Sequence, residues 1–127
     1  MEKYQLKIHT SPTGDLVPIE FNEYFTKIAK RLFIIHQKGN TVRGKHAHKT
    51  CSQLIFVTSG KVCFKVYFGQ EKMEVQLQTF LEILEIPPLH WVEIETLEDS
   101  IINVVADEVY CEEEYIRDWN EYLRYFQ

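Results

Sequence analysis

The sequence predicts an all-β protein, a sandwich or barrel of short strands that ends in one short helix. Residues 62–68 alternate strictly, since Val62, Phe64, Val66 and Phe68 share one parity. A period of two places these four side chains on one buried face of a strand. Turn residues recur along the chain, at Ser11-Pro12-Thr13-Gly14, Lys38-Gly39-Asn40, Ser59-Gly60, Gly69-Gln70 and Pro87-Pro88. Because this spacing leaves room only for short segments, we expect many strands and little helix.

Eight strands are predicted between these turns. They cover residues 16–21, 31–36, 53–58, 62–68, 73–77, 80–86, 91–94 and 100–106. Residues 54–57 are apolar on both parities, which is typical of a strand with one face in a core and the other against a second sheet or a subunit. Ser59-Gly60 is predicted to form a tight turn that joins strands 53–58 and 62–68 into a hairpin.

The C-terminal segment has a helical pattern. Tyr115, Trp119, Tyr122 and Phe126 recur at spacings of three and four, and three glutamates at 112–114 precede them. Acidic residues in a first turn stabilise a helix through its dipole, so we expect a helix that begins near these glutamates. Its aromatic stripe is predicted to pack on the barrel or on a partner.

Composition narrows the class of protein. The chain has 127 residues, enough for one compact domain spanning residues 1–127, and its net charge is −5. An acidic protein lacks the basic face that nucleic acid requires, and no apolar run is long enough to cross a membrane. The N-terminal residues lack the features of a secretory signal, so we expect a cytoplasmic protein.

The three cysteines give no sign of a disulfide framework. Cys51, Cys63 and Cys111 are odd in number and form no Cys-x-x-Cys pair, which also disfavours a zinc knuckle. We expect them to be reduced, with Cys51 and Cys63 serving as small apolar residues in strands.

His46 and His48 are the strongest candidates for chemistry. In an extended strand their side chains point to the same face, with Cα atoms roughly 6.6 to 6.8 Å apart. Two imidazoles on one face can hold a metal ion or carry protons to and from a small substrate. A metal site of this kind normally adds a carboxylate shortly after the second histidine and another histidine on a later strand. Ser52 and Gln53 occupy the first position and His90 is poorly placed for the second, which makes the metal the weaker hypothesis.

The two histidines belong to a longer pattern. The surrounding motif is Arg43-Gly44-Lys45-His46-Ala47-His48-Lys49, followed by Gln53-Leu54. Four further segments follow a fixed order, namely residues 14–20, residues 29–33, Ile86-Pro87-Pro88-Leu89-His90-Trp91, and residues 110–119 with Tyr115-Ile116-Arg117. Together they resemble the dTDP-4-keto-6-deoxyhexose 3,4-ketoisomerases, the WxcM-like sugar cupins, over nearly the whole chain.

The resemblance implies a cupin or jelly-roll β-barrel with a short C-terminal helix, and a homodimer. It implies an enzyme that moves a ketone from C4 to C3 of a dTDP-linked 6-deoxy sugar through an enediol or enediolate, without a metal or redox cofactor. His46 and His48 would be the catalytic residues, one as the carbon base and the other as the shuttle between the oxygens, and of the two His46 is the preferred base. The substrate-binding residues would be Arg43, Gln53, Lys49 and Trp91. Such an enzyme serves deoxysugar biosynthesis for surface glycans or glycosylated products.

The sequence differs from the family pattern at three places. Phe33 and Ile34 stand where members carry a tyrosine, Val92 stands where they carry a histidine, and Thr13 replaces an arginine. Two alternatives to the isomerase therefore stay open. One is a cupin that binds a sugar nucleotide without catalysis, and the other is a metal-dependent cupin enzyme.

Overall fold

The fold is described from a computed structural model that covers residues 1–127. It contains twelve strands, one α-helix and two short 3-10 helices. The strands are β1 (Glu2–Gln5), β2 (His9–Ser11), β3 (Gly14–Leu16), β4 (Arg31–Gln37), β5 (Thr41–His48), β6 (Gln53–Ser59), β7 (Val62–Phe68), β8 (Glu71–Leu77), β9 (Glu82–Ile86), β10 (His90–Thr96), β11 (Ser100–Ala106) and β12 (Tyr115–Ile116). Helix α1 is Trp119–Arg124, and the 3-10 helices are Phe21–Glu23 and Glu112–Glu114. None of the helices has the length and apolar character needed to cross a bilayer.

Two five-stranded antiparallel sheets face each other. Sheet I has the strand order β1-β9-β6-β11-β4, and sheet II has the order β12-β5-β10-β7-β8. Apart from β7 and β8, the neighbouring strands in each sheet are not consecutive in the sequence, as in a jelly roll. The all-β fold with a short C-terminal helix is confirmed. The two sheets are not joined by hydrogen bonds into a closed barrel.

The core lies between the inner faces of the two sheets. Sheet I contributes Ile55, Val57, Leu84, Ile86, Ile102 and Val104, and sheet II contributes Val62, Phe64, Val66, Leu77, Val92 and Ile94. The predicted alternation of β7 is confirmed for Val62, Phe64 and Val66, which are buried, but Phe68 is 48% exposed. Phe68 is the last residue of β7 and lies at the end of the sandwich.

The predicted hairpin of β6 and β7 is wrong. β6 pairs with β9 and β11 in sheet I, while β7 pairs with β8 and β10 in sheet II. Ser59-Gly60 therefore connects the two sheets instead of two paired strands. Both strands have an apolar inner face, and facing sheets bury such faces against each other. The outer face of β6 is also covered, because Leu54 packs against Leu6 and Phe25 of the N-terminal segment.

The N-terminal and C-terminal segments differ from their predictions. Of residues 16–21, only Leu16 belongs to a strand, and the segment that contains Pro18 runs as irregular chain over sheet I. At the other end, Asp118 caps helix α1 by accepting a hydrogen bond from the backbone N–H of Glu121 at 2.8 Å. The helix therefore begins at Trp119, and Tyr115 lies in strand β12 instead of in the helix.

The aromatic residues of α1 pack on the outer face of sheet II. Tyr122 is fully buried, and its hydroxyl accepts a hydrogen bond from the backbone N–H of Gly69 at 2.9 Å. The rings of Trp119 and Trp91 are 5.2 Å apart in an edge-on arrangement. This contact confirms the predicted packing role of the stripe for Trp119 and Tyr122.

Candidate active site

A β-bulge in β5 sets the direction of the site residues. His46 lies opposite Val92 of β10 and Gly44 lies opposite Glu93, so Lys45 is an extra residue between them. Arg43 and His46 are three positions apart and would face opposite ways in a regular strand. The extra residue brings the two side chains to the same face, because Arg43 lies opposite Ile94 and His46 lies opposite Val92, two residues that share a face of β10. Arg43 and His46 therefore share the inner face of sheet II.

Gly44 is required for this bulge. Its φ of 86° lies in the left-handed region that residues with a side chain rarely adopt. A Cβ atom at this position would also lie 2.7 Å from the carbonyl oxygen of Val92. The Arg-Gly pair in the motif thus has a structural reason, since the glycine allows the arginine and the first histidine to point into the same space.

The two histidines lie side by side on the inner face of sheet II. The rings of His46 and His48 have their centroids 5.4 Å apart and are nearly perpendicular, at 87°. Nδ1 of each ring is buried and has no hydrogen-bond partner in the protein. Two neighbouring imidazoles with an uncommitted nitrogen each are suited to accepting and releasing protons.

A cavity of about 560 Å³ opens beside His46. Its size is in the range of small-molecule sites in proteins. The polar or charged residues on its wall are Arg43, His46, Gln53, Tyr115 and Arg117. The other lining residues are Phe33, Ile34, Ile35, Gly44, Ile55, Val92, Ile94 and Val104. Phe33 and Val92, two of the positions where the sequence departs from the family, therefore both line this cavity.

His48 does not line the cavity but lies next to His46, and it is hydrogen-bonded to Gln53. Both side chains are only 7% exposed, and Nε2 of Gln53 lies 3.2 Å from Nε2 of His48. Burial, and after it the neighbouring His46, lower the pKa of His48 to about 4. His48 is therefore neutral at pH 7.

His46 is in a related environment but contacts the cavity directly. Burial is the main cause that lowers the pKa of His46 below its ordinary value. A neutral imidazole on a cavity wall is the form that can act as a general base. Of the two histidines, His46 has the position for direct contact with a bound molecule.

Tyr115 lies at the site, although the spacing of the aromatic residues predicts a helix for it. Its ring lies 4.4 Å from the ring of His48 and 5.0 Å from the ring of His46, measured between centroids. Strand β12 holds it there, since Tyr115 lies opposite His48 at the edge of sheet II. Tyr115-Ile116-Arg117 resembles a segment of the family, but the spacing of the aromatic residues matches a helix equally well.

Three arginines surround the histidines in a protein of net charge −5. Arg43 and Arg117 line the cavity, and Arg31 lies nearby with its guanidinium 4.8 Å from the centre of the Phe33 ring. Arg117 forms an ion pair with Glu112 at 2.7 Å and stacks on Tyr115 at 4.4 Å. Nε of Arg31 is buried without a hydrogen-bond partner. This local excess of positive charge suits an anionic ligand.

Two of the expected substrate-binding residues do not lie at the cavity. Trp91 precedes Val92 in β10 and points to the outer face, where its indole N–H donates to Glu93 at 3.1 Å. Lys49 follows His48 at the end of β5, and its backbone N–H donates to the carbonyl of Glu114 at 2.9 Å. Adjacent residues of an extended chain point to opposite faces, so the neighbours of cavity residues point away from it.

The histidine pair lacks a third metal-binding side chain. The only group of three or more His, Cys, Asp or Glu side chains close enough to share an ion is Cys51, Asp107 and Glu108. His90 lies elsewhere, stacked on Phe68 with ring centroids 4.7 Å apart. The donor set at His46 and His48 is thus poorer than a zinc or iron site normally provides.

Facing jelly-roll sheets with a histidine pair beside a half-apolar, arginine-lined cavity define a cupin-type protein with a small-molecule site. The comparison with known families is more specific. The family FdtA, described as WxcM-like, C-terminal, matches residues 1–127, and the chain belongs to this family.

Relatives of known activity agree with this assignment. The chain is 31% identical over 114 residues to a TDP-4-oxo-6-deoxy-α-D-glucose-3,4-oxoisomerase of Aneurinibacillus thermoaerophilus. The aligned region covers 88% of this chain and 82% of that relative. Among solved structures, it matches the sugar 3,4-ketoisomerase QdtA of Thermoanaerobacterium thermosaccharolyticum in complex with TDP. The TM-score is 0.90 and the identity 27%, over 98% of this chain and 92% of that chain. A 3,4-ketoisomerase of Helicobacter canadensis matches with a TM-score of 0.91 and 26% identity, over 98% and 95% of the two chains.

Proposed function

We propose that this protein is a sugar-nucleotide 3,4-ketoisomerase that converts TDP-4-keto-6-deoxyglucose to a TDP-linked 3-keto-6-deoxyhexose. The observation that carries the proposal is the neutral His46 on the wall of the cavity, with His48 and Tyr115 directly behind and beside it. Known relatives support the choice of substrate, since a mutant of QdtA has been solved in complex with TDP-4-keto-6-deoxyglucose.

The reaction needs proton transfers and no net oxidation. His46 removes the proton from C3, next to the C4 ketone, and the electrons of that bond form the double bond of an enediolate. The C4 oxygen gains a proton and the C3 oxygen loses one, which makes C3 the carbonyl carbon. A proton is then delivered to C4. His46 acts on carbon because it lines the cavity, and His48 serves as the proton store for the oxygens.

The charges around the cavity fit both the substrate and the intermediate. Arg43 has no carboxylate partner within the protein and lies on the same face as His46. A guanidinium here stabilises negative charge, either on the enediolate oxygen or on the diphosphate of the nucleotide. Arg117 is held in place by Glu112 and contributes a second positive charge at the cavity.

We further propose a homodimer in which a second copy covers the edge of sheet I. Strand β4 pairs only with β11, so its other edge has no partner in the chain. Its outward side chains Leu32 and Ile34 are 58% and 64% exposed. Long apolar edge strands normally require a covering element.

The oligomer can be measured directly by light scattering on purified protein. The Leu32→Asp variant is expected to be monomeric at concentrations at which the wild type is dimeric. Leu97→Asp is the matched control, because Leu97 is also exposed but lies in the turn between β10 and β11. A monomeric wild type at micromolar concentration would rule out the dimer.

We place this activity in the cytoplasm, in the synthesis of deoxysugars for surface glycans. All three cysteines are free, which is compatible with a reducing compartment. The pathway rests on the kinship with the TDP-sugar isomerases.

Turnover of TDP-4-keto-6-deoxyglucose tests the function. Proton NMR of the reaction mixture is expected to show a 3-keto product with wild-type protein and none with the His46→Asn, His48→Asn double variant. Calorimetric binding of TDP serves as the control for a folded site. Binding by the wild type without any product would favour the non-catalytic alternative, and activity that depends on an added transition metal would favour the metal-dependent one.

A further inference from the structure

The contact between His48 and Gln53 joins the two sheets across the site. His48 is the last residue of β5 in sheet II, and Gln53 is the first residue of β6 in sheet I. Nε2 of the amide can only donate a hydrogen bond, so the Nε2 atom of His48, 3.2 Å away, must accept it. A ring nitrogen that accepts carries no proton.

We propose that Gln53 is a positioning residue that holds His48 in the neutral tautomer with its proton on Nδ1. The inference rests on the proposed isomerase only for its kinetic consequence, because the tautomer is a property of the protein itself. The bond fixes the ring and determines which nitrogen exchanges protons. Since Nδ1 of His48 has no acceptor in the protein, the proton on it is not held by any other group.

The hydrogen bond to His48 also determines where the carbonyl oxygen of the Gln53 side chain lies. Gln53 lines the cavity, and because one N–H of its amide donates to His48, the orientation of the amide is fixed and its carbonyl oxygen is left without a partner in the protein. That oxygen can accept a hydrogen bond from a sugar hydroxyl but cannot donate one. If Nε2 of His48 took up a proton, the amide would have to rotate so that its oxygen accepts that proton, and Gln53 would then no longer offer this acceptor to a ligand.

The surroundings of His48 favour the neutral ring. The charged and titratable groups facing it are His46 on its own strand, Arg31 on β4, and Glu114, Tyr115 and Arg117 from the C-terminal segment. Three of these, His46, Arg31 and Arg117, oppose a positive charge on His48, and only Glu114 favours one. Burial acts in the same direction as these three groups, so the ring has little tendency to become imidazolium.

Nitrogen-15 NMR of the ring nitrogens reads the tautomer directly in the ligand-free protein. In the wild type, Nε2 of His48 is expected at the shift of an unprotonated nitrogen and Nδ1 at the shift of a protonated one. Gln53→Leu removes the donor, and the Nε2–H form should then appear. Gln53→Glu supplies an acceptor instead, so it should place the proton on Nε2 and raise the pKa of His48. Gln76→Leu is the control, because Gln76 is exposed on β8.

Kinetic measurements distinguish a positioning role of Gln53 from a role in packing alone. Gln53→Leu is expected to lower kcat about tenfold, the value of one hydrogen bond, with a smaller change in KM. The inference is overturned if the wild-type ring carries its proton on Nε2, or if Gln53→Leu leaves the tautomer unchanged. An inactive wild type with the Nδ1–H tautomer would instead refute the proposed function and leave the tautomer assignment intact.

Discussion

Tyr115 lies directly opposite His48 across the short pairing of β12 with β5, with 4.4 Å between the ring centroids. The last strand of the chain thereby closes the side of the histidine pair that the sheet would otherwise leave open. Its position depends on the Glu112–Arg117 ion pair and on backbone bonds to His48 and Ala47. The C-terminal segment is therefore part of the site as well as of the fold.

Removal of the Tyr115 ring should change the titration of His48. Because burial is the largest cause of its low pKa, Tyr115→Ala should raise the pKa of His48 from about 4 toward its ordinary value. Tyr115→Phe keeps the ring and should leave the pKa near that of the wild type. Proton NMR titration of the imidazole signals measures both. An unchanged pKa in Tyr115→Ala would show that the ring does not shield His48.

The same pKa makes stability depend on pH. His48 is neutral in the folded protein down to about pH 4, whereas in the unfolded chain it takes up a proton below about pH 6.5. Its contribution is therefore present above pH 6.5 and is lost as pH falls from 6.5 to 4, by up to about 3 kcal/mol. Urea unfolding at a series of pH values should show this loss. His48→Asn should flatten the curve in that interval, and an equal slope in both proteins would contradict the assignment.

Gly44→Ala should lower the stability of the protein and disturb the orientation of Arg43 and His46 toward the cavity. The substitution places a Cβ atom 2.7 Å from the Val92 carbonyl oxygen at a φ of 86°, and such strain costs on the order of 1 to 3 kcal/mol. Gly14→Ala is the matched control, because Gly14 also has a positive φ but its Cβ would meet no atom within 4 Å. Thermal unfolding and turnover should both fall more for Gly44→Ala. Equal losses in the two variants would mean that the bulge does not depend on the close contact between Gly44 and the Val92 carbonyl oxygen.

The cysteines should differ in reactivity. Burial raises the pKa of Cys51 to about 12, with Asp107 acting in the same direction, while Cys111 is exposed. Because the thiolate is the reactive form, iodoacetamide at pH 8 should modify Cys111 and spare Cys51 until the protein unfolds. Mass spectrometry of peptides identifies the modified residue. Rapid labelling of Cys51 in the folded Cys111→Ser variant would contradict the prediction that its thiol is buried and unreactive.

Each histidine should control a different proton transfer. His46→Asn should abolish exchange of the C3 proton with solvent, because His46 is the group on the cavity wall. His48→Asn should retain exchange at C3 and lose at least about a hundredfold in product formation, as expected for a missing acid or base. Deuterium exchange and product formation measured on the same samples distinguish the two. The reverse pattern would exchange the two assigned roles.

Patterns within a single strand could be predicted from the sequence. The alternation of Val62, Phe64 and Val66 and the shared face of His46 and His48 follow from the period of two in an extended chain. Such patterns need no knowledge of the neighbouring strands.

Features that depend on a partner strand could not be predicted in this way. The bulge at Lys45 is defined by the register with β10, and the turn at Gly60 joins two sheets whose pairing is set by distant segments. Tyr115 was assigned to the helix because its distance from Trp119 matches one helical turn, although Asp118 begins the helix later. The bond between Gln53 and His48 is also a contact between two sheets.

Incubation of the protein with TDP-4-keto-6-deoxyglucose in heavy water tests the proposed proton transfer at His46 most directly. We expect deuterium at C3 of recovered substrate and at C4 of the 3-keto product, and neither with His46→Asn. Tight binding of the substrate by the wild type, with no deuterium at either carbon and no product, would contradict the proposed proton transfer by His46.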